Sequence, residues 1–153
     1  MKRYFTKNEK ETKKLGEKIG KLLLKEKLGK TAKIVLLSGE LGSGKTTFLK
    51  GFAKSLGITD NIVSPTFIIM RTFTLFQKTK FQRFYHIDCY RINRYEELLN
   101  LGLKEIIKNN KNIVAIEWPE MIKRILPKQV LNIQFKIIGK RKREILIQWQ
   151  KDC

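Results

Sequence analysis

The residues best suited to chemistry lie in one short segment, residues 39–46, with the sequence Gly-Glu-Leu-Gly-Ser-Gly-Lys-Thr. This is the spacing Gly-x-x-x-x-Gly-Lys-Thr, preceded by an apolar run at 34–37 and followed by a helical pattern at 45–56. Glycines allow backbone N–H groups to surround phosphate oxygens, and the N-terminus of a helix adds partial positive charge. Lys45 would reach the outer phosphates, and the Thr46 hydroxyl would help to hold magnesium. The segment therefore predicts a P-loop that binds ATP with Mg²⁺.

Two acidic residues that follow predicted strands are candidates for the remaining chemistry of phosphoryl transfer. Glu117 ends the apolar run 113–116, and ligands of open α/β sheets bind at the carboxyl ends of the strands. An acid there resembles the Walker B carboxylate, which acts on Mg²⁺ directly or through water. Asp88 directly follows a second strand. It would either support the metal indirectly or orient water, or it would simply cap a turn.

Three neighbouring features carry weaker signals. His86 is the single histidine, and we expect it on the same side of its strand as Asp88, as a structural residue with its hydrogen bonds satisfied. Cys89 is expected to fill apolar space rather than to act as a nucleophile. The hydroxyls of Ser64 and Thr66 could sense a γ-phosphate as GTPase switch loops do, although Ser-Pro-Thr is also common in turns.

Hydrophobic periodicity predicts the elements that must position these residues. A Thr-x-x-Glu capping box at 6–9 predicts a helix that buries Leu15, Ile19, Leu22 and Leu23 and ends near Gly29. Further helices are predicted at 45–56, at 95–109 with an interruption at 102, and at 119–125. Strands are predicted at 34–37, 66–74, 81–87 and 113–116, with a terminal hairpin at 131–137 and 145–149. The pattern indicates one α/β P-loop NTPase domain over residues 1–153, with a mixed, mostly parallel sheet flanked by helices and with antiparallel hairpins.

Composition narrows the class of protein. Hydrophobic residues make up 42% of the chain and charged residues 31%, which is ordinary for a globular protein. No apolar run approaches the roughly 20 residues that cross a bilayer, and the first residues lack the apolar stretch of a signal peptide. The two cysteines, Cys89 and Cys153, have no metal-ligand spacing and do not suggest a disulfide framework. We therefore expect a cytoplasmic protein with no membrane association.

The net charge of +19 is unevenly distributed along the chain. Residues 1–33 carry twelve Lys and Arg against four acids, and residues 121–153 carry nine against two. Basic ends of this kind would attract a polyanion such as RNA. General lysine enrichment of solvated surfaces explains the same numbers, so both interpretations stay open.

Several motifs together resemble one family, the bacterial ATPase of tRNA threonylcarbamoyladenosine biosynthesis known as TsaE, formerly YjeE. The similarity runs from about residue 12 to residue 147. It rests on Leu-Ser-Gly-Glu-Leu-Gly-Ser-Gly-Lys-Thr-Thr-Phe at 37–48, Val-Ser-Pro-Thr-Phe at 63–67, His-Ile-Asp-Cys-Tyr-Arg at 86–91 and Ile-Glu-Trp-Pro-Glu at 116–120. Two positions depart mildly from the family pattern: Glu40 replaces the usual Asp, and Cys89 the usual Leu.

The resemblance implies roles for individual residues. It assigns Thr46 and Glu117 to Mg²⁺, and Asp88 and Lys45 to catalysis. It also assigns one set of residues to ATP: Leu41, Gly42, Ser43, Gly44, Lys45, Thr46, Thr47, Ser64, Thr66 and Trp118. The N-terminal capping segment and Arg143 match the family more loosely, as neighbours of the adenine.

The resemblance also implies a role and partners. Family members bind a heterodimer of the threonylcarbamoyl transferase and its paralogue, and tRNA belongs to that complex. ATP hydrolysis resets the complex, so this chain would be an ATP hydrolase that is slow on its own. Two alternatives stay open: a small P-loop kinase, and a basic RNA-binding module in which ATP is structural. A small P-loop kinase usually carries an arginine-bearing lid over the phosphates. Arg141 and Arg143 are instead predicted to lie in a hairpin turn, which is a poor lid.

Overall fold

The computed structural model describes residues 1–65 and 67–150 and centres on a seven-stranded sheet of order β1-β7-β6-β2-β5-β4-β3. The strands are β1 (Lys2–Thr6), β2 (Lys33–Ser38), β3 (Met70–Thr74), β4 (Arg83–Asp88), β5 (Asn112–Glu117), β6 (Val130–Ile137) and β7 (Arg143–Gln150). The α-helices are α1 (Glu9–Lys25), α2 (Lys45–Ser55), α3 (Glu96–Asn100) and α4 (Leu103–Lys108). Two short 3₁₀ helices, Pro119–Met121 and Lys123–Ile125, follow β5.

The middle of the sheet is parallel and its edges are antiparallel. β2 pairs in parallel with β5 and β6, and β4 pairs in parallel with β5. β3 is an antiparallel edge strand on β4, while at the other edge β7 lies between β1 and β6 and is antiparallel to both. The predicted α/β class, with a mixed and largely parallel sheet and antiparallel hairpins, is confirmed. Because β2, β4 and β5 run in the same direction, their carboxyl ends meet at one edge of the sheet.

The helices cover both faces of the sheet. The helices α1 and α2 pack on one face, where α1 contributes Leu15, Ile19 and Leu23, and α2 contributes its phenylalanines to a common core. The helices α3 and α4 pack on the other face, over Ile34, Leu36 and the alternate residues of β4 and β5. Burial on both faces explains why β2 and β5 are continuous apolar runs.

The helices α1 and α2 touch closely because each presents a glycine to the other. A Cβ atom added to Gly16 would lie 2.0 Å from the carbonyl oxygen of Phe48. A Cβ atom added to Gly51 would lie 1.8 Å from the carbonyl oxygen of Lys13. Since α2 begins at the end of the glycine-rich loop, this contact fixes the loop against the N-terminal part of α1.

Three sequence predictions about the N-terminal helix were wrong in detail: its N-cap, its last residue and the burial of Leu22. Thr6 ends an edge strand that was not predicted, and the N-cap of α1 is Asn8, whose side chain accepts a hydrogen bond from the backbone N–H of Glu11 at 2.9 Å. The helix ends at Lys25 rather than at Gly29, and Leu22 is 49% exposed because the buried stripe follows the i, i+4 positions.

Other boundaries moved for identifiable reasons. The strand predicted from residue 66 begins at Met70, because the N–H of Ile69 bonds back to the carbonyl of Pro65 and turns the chain. The interrupted helix at 95–109 is confirmed as α3 and α4, separated by Gly102 in a left-handed conformation with φ 86°. The segment after Pro119 is helical, but as two 3₁₀ turns.

Candidate functional site

The loop between β2 and α2 has the backbone of an anion-binding turn. Gly42 (φ 76°) and Gly44 (φ 103°) adopt left-handed conformations that favour glycine, and Gly44 is the N-cap of α2. The first turn of α2 therefore leaves backbone N–H groups free of intrahelical partners at the positive end of the helix dipole. The loop thus has the backbone conformation that its spacing predicted, and this conformation suits an anion such as a phosphate.

The ammonium group of Lys45 is buried and is held by the loop itself. Its Nζ donates to the carbonyl oxygens of Gly39 at 2.5 Å and Glu40 at 3.0 Å. Burial lowers the pKa of the Lys45 ammonium, and the nearby carboxylates of Glu117 and Asp88 oppose that shift. The hydrogen-bond partners of this group are neutral backbone carbonyl oxygens, which the charged oxygens of a phosphate can replace as stronger acceptors.

Glu117 connects the end of β5 to the P-loop helix. One of its carboxylate oxygens, Oε1, accepts a hydrogen bond from the Thr46 hydroxyl at 3.1 Å. The other oxygen, Oε2, lies 2.7 Å from Nε2 of His86 on β4. Glu117 is 2% exposed and His86 is fully buried. The structure therefore brings together the two residues assigned to Mg²⁺ and adds a histidine behind them.

Asp88 lies at the end of β4, opposite Glu117 in the register of β4 and β5. Its Oδ1 accepts a hydrogen bond from the backbone N–H of Tyr90 at 2.9 Å, and its Oδ2 accepts one from the hydroxyl of Ser64. The bond from Tyr90 is the turn cap that was the structural alternative for this residue. Asp88 also lines the cavity described below, so it can cap the turn and face a ligand at once.

Trp118 lies beside the lysine of the P-loop. Its backbone is left-handed, with φ 56°, which is uncommon for a bulky residue. The Nζ of Lys45 lies 4.1 Å from the centre of the indole ring, and the centre of the Tyr90 ring lies 4.9 Å from that of Trp118. The conformation of Trp118 thus places an aromatic wall against a desolvated cation, an arrangement that a cation–π attraction stabilises.

These residues surround one cavity of about 870 Å³. All the nucleotide and metal candidates from the sequence line it, except Thr66, which lies outside the described residues: Leu41, Gly42, Ser43, Gly44, Lys45, Thr46, Thr47, Ser64, Asp88, Glu117 and Trp118. Its size is in the range of small-molecule sites, which are about 300–1,000 Å³. The separate sequence motifs thus converge on a single pocket.

Sequence reasoning missed part of the cavity wall or described it only loosely. Tyr90 was not selected, although it stands two residues after Asp88 in the recognised motif. One side is formed by the start of α1, with Asn8, Glu9, Lys10 and Thr12, and another by the turn between β6 and β7, with Lys140, Arg141 and Arg143. Only the fold brings these distant segments to the P-loop.

The turn between β6 and β7 lies closer to the P-loop than its sequence suggested. The guanidinium of Arg143 donates to the carbonyl oxygens of Gly42 at 3.0 Å and Ser43 at 3.2 Å. The same side chain also bonds to the carbonyl oxygens of Gly139 and Lys142 within its own turn. The hairpin turn predicted here is confirmed, and it forms part of the cavity wall.

The oxygen donors at the site fit a magnesium ion. The Thr46 hydroxyl and the Glu117 carboxylate are hard oxygen ligands only 3.1 Å apart. Mg²⁺ is usually held by one or two such protein groups together with phosphates and waters. Across the described residues there is no group of three or more His, Cys, Asp or Glu side chains that could hold a metal ion. The arrangement therefore suits a metal that arrives with a phosphate rather than an all-protein metal cage.

Comparison with known proteins decides the family. A family model described as "Threonylcarbamoyl adenosine biosynthesis protein TsaE" matches residues 6–145. The chain belongs to the TsaE family. Curated TsaE proteins are similar over most of its length: that of Borreliella burgdorferi is 44% identical over 70% of this chain and 75% of its own, and that of Treponema pallidum is 30% identical over 95% and 98%.

A solved structure agrees with this assignment. The crystal structure of YdiB from Bacillus subtilis matches with a TM-score of 0.75 and 31% sequence identity, over 98% of this chain and 86% of that one. The resemblance to the TsaE family that the motifs suggested is thus confirmed at the level of sequence and of fold. In the parts of the chain that the structure describes, none of the helices has the length and apolar character needed to span a membrane.

Proposed function

We propose that the chain binds ATP with Mg²⁺ and hydrolyses it in support of tRNA threonylcarbamoyladenosine biosynthesis. The observation that carries the proposal is the convergence of the P-loop, Thr46, Glu117 and Asp88 on one cavity. The biosynthetic role rests on membership of the TsaE family, whose curated relatives bear that pathway in their names.

In this proposal, the P-loop backbone and Lys45 bind the phosphates. Lys45 exchanges its two carbonyl partners for β- and γ-phosphate oxygens, which bear more negative charge. The N–H groups at the start of α2 hold phosphate oxygens, and they are fixed in place before the ligand arrives. Thr46 and Glu117 would hold Mg²⁺, which when bound neutralises charge developing on the phosphates.

Asp88 is the residue that we assign to the hydrolytic step. Water attacks the γ-phosphorus, the bond to the bridging oxygen breaks, and ADP and inorganic phosphate are released. Asp88 lines the cavity, and its side chain is fixed by the N–H of Tyr90 and the hydroxyl of Ser64. A carboxylate fixed in this way can orient the attacking water and accept its proton.

The partners proposed from the family are a heterodimer of the threonylcarbamoyl transferase and its paralogue, with tRNA bound in the same assembly. In that setting the ATP cycle of this chain would reset the transferase complex between turnovers. The reaction would take place in the cytoplasm, and this chain alone would turn over slowly.

A small P-loop kinase is the second candidate, and the basic turn between β6 and β7 is the observation that favours it. Lys140 and Arg141 line the cavity. A kinase lid would likewise place positively charged side chains over the phosphates. Phosphate release from ATP without any added acceptor separates the two candidates. A hydrolase releases phosphate in the absence of an acceptor, whereas a kinase requires one and transfers the phosphoryl group to it.

The decisive experiment measures phosphate release from ATP by the purified chain, alone and with the reconstituted heterodimer. We expect release that depends on Mg²⁺, is slow alone, and increases with the heterodimer. The Lys45→Ala variant controls for a contaminating ATPase. Release that is unchanged in that variant, or that appears only with a small-molecule acceptor, would contradict the proposal.

A further inference from the structure

The single histidine of the chain is buried in an unusual place. His86 is fully buried on β4, and its Nε2 lies 2.7 Å from Oε2 of Glu117. Its other ring nitrogen, Nδ1, has no hydrogen-bond partner among the described residues. A buried imidazole with one unsatisfied nitrogen costs free energy that an apolar side chain would not. The hydrogen bond to Glu117 is therefore the interaction that must account for a histidine at this buried position.

The direction of that bond follows from the chemistry of the two groups. A carboxylate oxygen only accepts hydrogen bonds, so the imidazole must carry its proton on Nε2 and donate it to Glu117. A neutral ring with its proton on Nε2 leaves the lone pair of Nδ1 without a hydrogen-bond partner among the described residues. The surroundings thus select one tautomer, and that tautomer points its N–H at the carboxylate.

The bond fixes the orientation of the Glu117 carboxylate. With Oε2 held by His86, the other oxygen, Oε1, faces the Thr46 hydroxyl at 3.1 Å. Without the bond, the carboxylate could rotate about its terminal torsion, which is broad and poorly restricted in glutamate. A carboxylate fixed by a second group binds a metal in one geometry with little entropic cost.

We propose that His86 is a positioning residue, which holds the Glu117 carboxylate so that one oxygen stays directed at Thr46 and the magnesium position. This inference rests on the proposed function, because it assigns His86 a role only if Mg²⁺ binds with ATP between Thr46 and Glu117. His86 itself touches neither the nucleotide nor the metal.

The test compares four proteins by titration calorimetry with a non-hydrolysable ATP analogue, in Mg²⁺ and in EDTA. His86→Phe keeps the aromatic ring but removes the donor, and His86→Gln keeps a donor amide. Asn112→Leu is the matched control: Asn112 is 3% exposed at the far end of β5, donates one hydrogen bond to the carbonyl of Ile106 at 2.9 Å, and has an unpartnered Oδ1.

We expect His86→Phe to reduce the gain in affinity from Mg²⁺ by about 10- to 100-fold, the range for lost partners of metal ligands. His86→Gln should recover part of that gain, and Asn112→Leu should keep all of it even if its melting temperature falls. The inference is overturned if His86→Phe keeps the gain in analogue affinity from Mg²⁺, or if Asn112→Leu loses as much of that gain. Either result leaves the proposed function intact. If the wild type shows no Mg²⁺-dependent binding, the proposed function fails and the inference falls with it.

A second measurement uses the wild-type protein, so its result does not depend on whether a variant folds. Because the chain contains one histidine, ¹⁵N labelling of histidine gives one imidazole spectrum without assignment. We expect a slowly exchanging proton on Nε2, whose resonance shifts when Mg²⁺ is added to the protein already loaded with the analogue. A proton on Nδ1, or a ring spectrum indifferent to Mg²⁺, would overturn the inference.

Discussion

Asp88 and Glu117 are register partners on the adjacent parallel strands β4 and β5, and their carboxylates are held by different parts of the chain. Glu117 accepts from Thr46 at the start of α2, and Asp88 accepts from the hydroxyl of Ser64 and the N–H of Tyr90. One acid is thus tied to the P-loop helix and the other to the segments after α2 and β4. This separation indicates that the two acids have different tasks.

The first prediction separates these two tasks by conservative substitutions. Glu117→Gln removes the charge from the residue that we propose as a metal ligand, and it gives His86 and Thr46 an amide in place of one acceptor oxygen. Mg²⁺ should then contribute much less to ATP affinity. Asp88→Asn should leave ATP affinity within about threefold of the wild type, a difference of less than 1 kcal/mol, and lower turnover. ATP affinity with and without Mg²⁺, together with single-turnover phosphate release, measures both effects.

The two substitutions serve as controls for each other, because both replace a buried carboxylate at the same edge of the sheet. A general disturbance of that edge would affect both variants in the same way. Interchangeable profiles for Glu117→Gln and Asp88→Asn would therefore contradict the separate roles.

The second prediction concerns the P-loop itself. A ligand at a hundredfold excess over its Kd stabilises the native state by about 2.7 kcal/mol, so Mg²⁺-ATP should raise the melting temperature of the wild type. Lys45→Ala and Thr46→Ala should lose most of that increase. Lys50→Ala, which changes an exposed lysine on the same helix, should keep it. Comparing each variant with and without ATP separates nucleotide binding from any change in the unliganded protein.

Much of the fold could be predicted because its signals are local. The apolar runs that became β2 and β5 are buried on both faces, and Gly102 interrupts a helical pattern where the structure has a left-handed turn. The edge strand β1 could not be predicted, because Lys2–Thr6 has no buried residue except Thr6 and is specified by its pairing with β7, more than a hundred residues away.

The same contrast holds for the site. The sequence could place Lys45, Thr46 and Glu117 near one another because each stands at the end of the strand or helix that positions it. The P-loop contacts of Arg143 could not be predicted, since the guanidinium reaches Gly42 and Ser43 only after β6 and β7 have paired. Residues that act through tertiary contacts leave no short-range spacing in the sequence.

The third prediction tests the close contact of α1 and α2. In Gly51→Ala, the new Cβ would lie 1.8 Å from the carbonyl oxygen of Lys13, so the helices must separate. Overpacking of this kind costs about 1–3 kcal/mol, which should exceed the gain in helix propensity of about 1 kcal/mol. Gly29→Ala is the control, since an added Cβ there meets no atom within 4 Å. Urea unfolding should show a lower free energy of unfolding for Gly51→Ala alone.

The fourth prediction concerns Cys89, which is 5% exposed. Burial, and secondarily the carboxylates of Asp88 and Glu120, raises the pKa of its thiol to about 12 from an ordinary 9.0. Only about one thiol in ten thousand is then ionised at pH 8, and the thiolate is the reactive form. In a Cys153→Ser background, Ellman's reagent should react with Cys89 slowly in the native protein and rapidly in denaturant.

The sign of the pH effect follows from the same shift. Because the folded-state pKa is above the unfolded value, the native state binds the proton more tightly. The contribution of the Cys89 thiol to the free energy of unfolding is fully present below pH 9 and should be lost as the pH rises towards 12. Cys89→Ser should remove this part of the alkaline decline. Fast labelling of native Cys89 at pH 8 would contradict the prediction.

The last prediction concerns the basic turn at residues 140–143, which has two competing interpretations. Lys140 and Arg141 line the cavity beside the P-loop, whereas the adjacent Lys142 is exposed and does not line it. Arg143 must be left unchanged, because it also holds the P-loop carbonyls. The double variant Lys140→Ser, Arg141→Ser should weaken ATP binding by about 1 kcal/mol in total, the size of exposed ion pairs. Lys142→Ser should leave ATP affinity unchanged.

An RNA-binding turn would behave differently, because contacts with a phosphate backbone depend on charge rather than on a place in the cavity wall. Lys142→Ser would then weaken tRNA binding about half as much as the double variant, because it removes one positive charge instead of two, and both variants would flatten the salt dependence. Titrating ATP and tRNA into the three proteins at two salt concentrations, with and without the heterodimer, distinguishes the two cases. We expect the ATP curves to separate the double variant from Lys142→Ser, and tRNA contact to matter mainly in the assembled complex. Losses of tRNA affinity in proportion to the charge removed, with unchanged ATP affinity, would assign this turn to RNA.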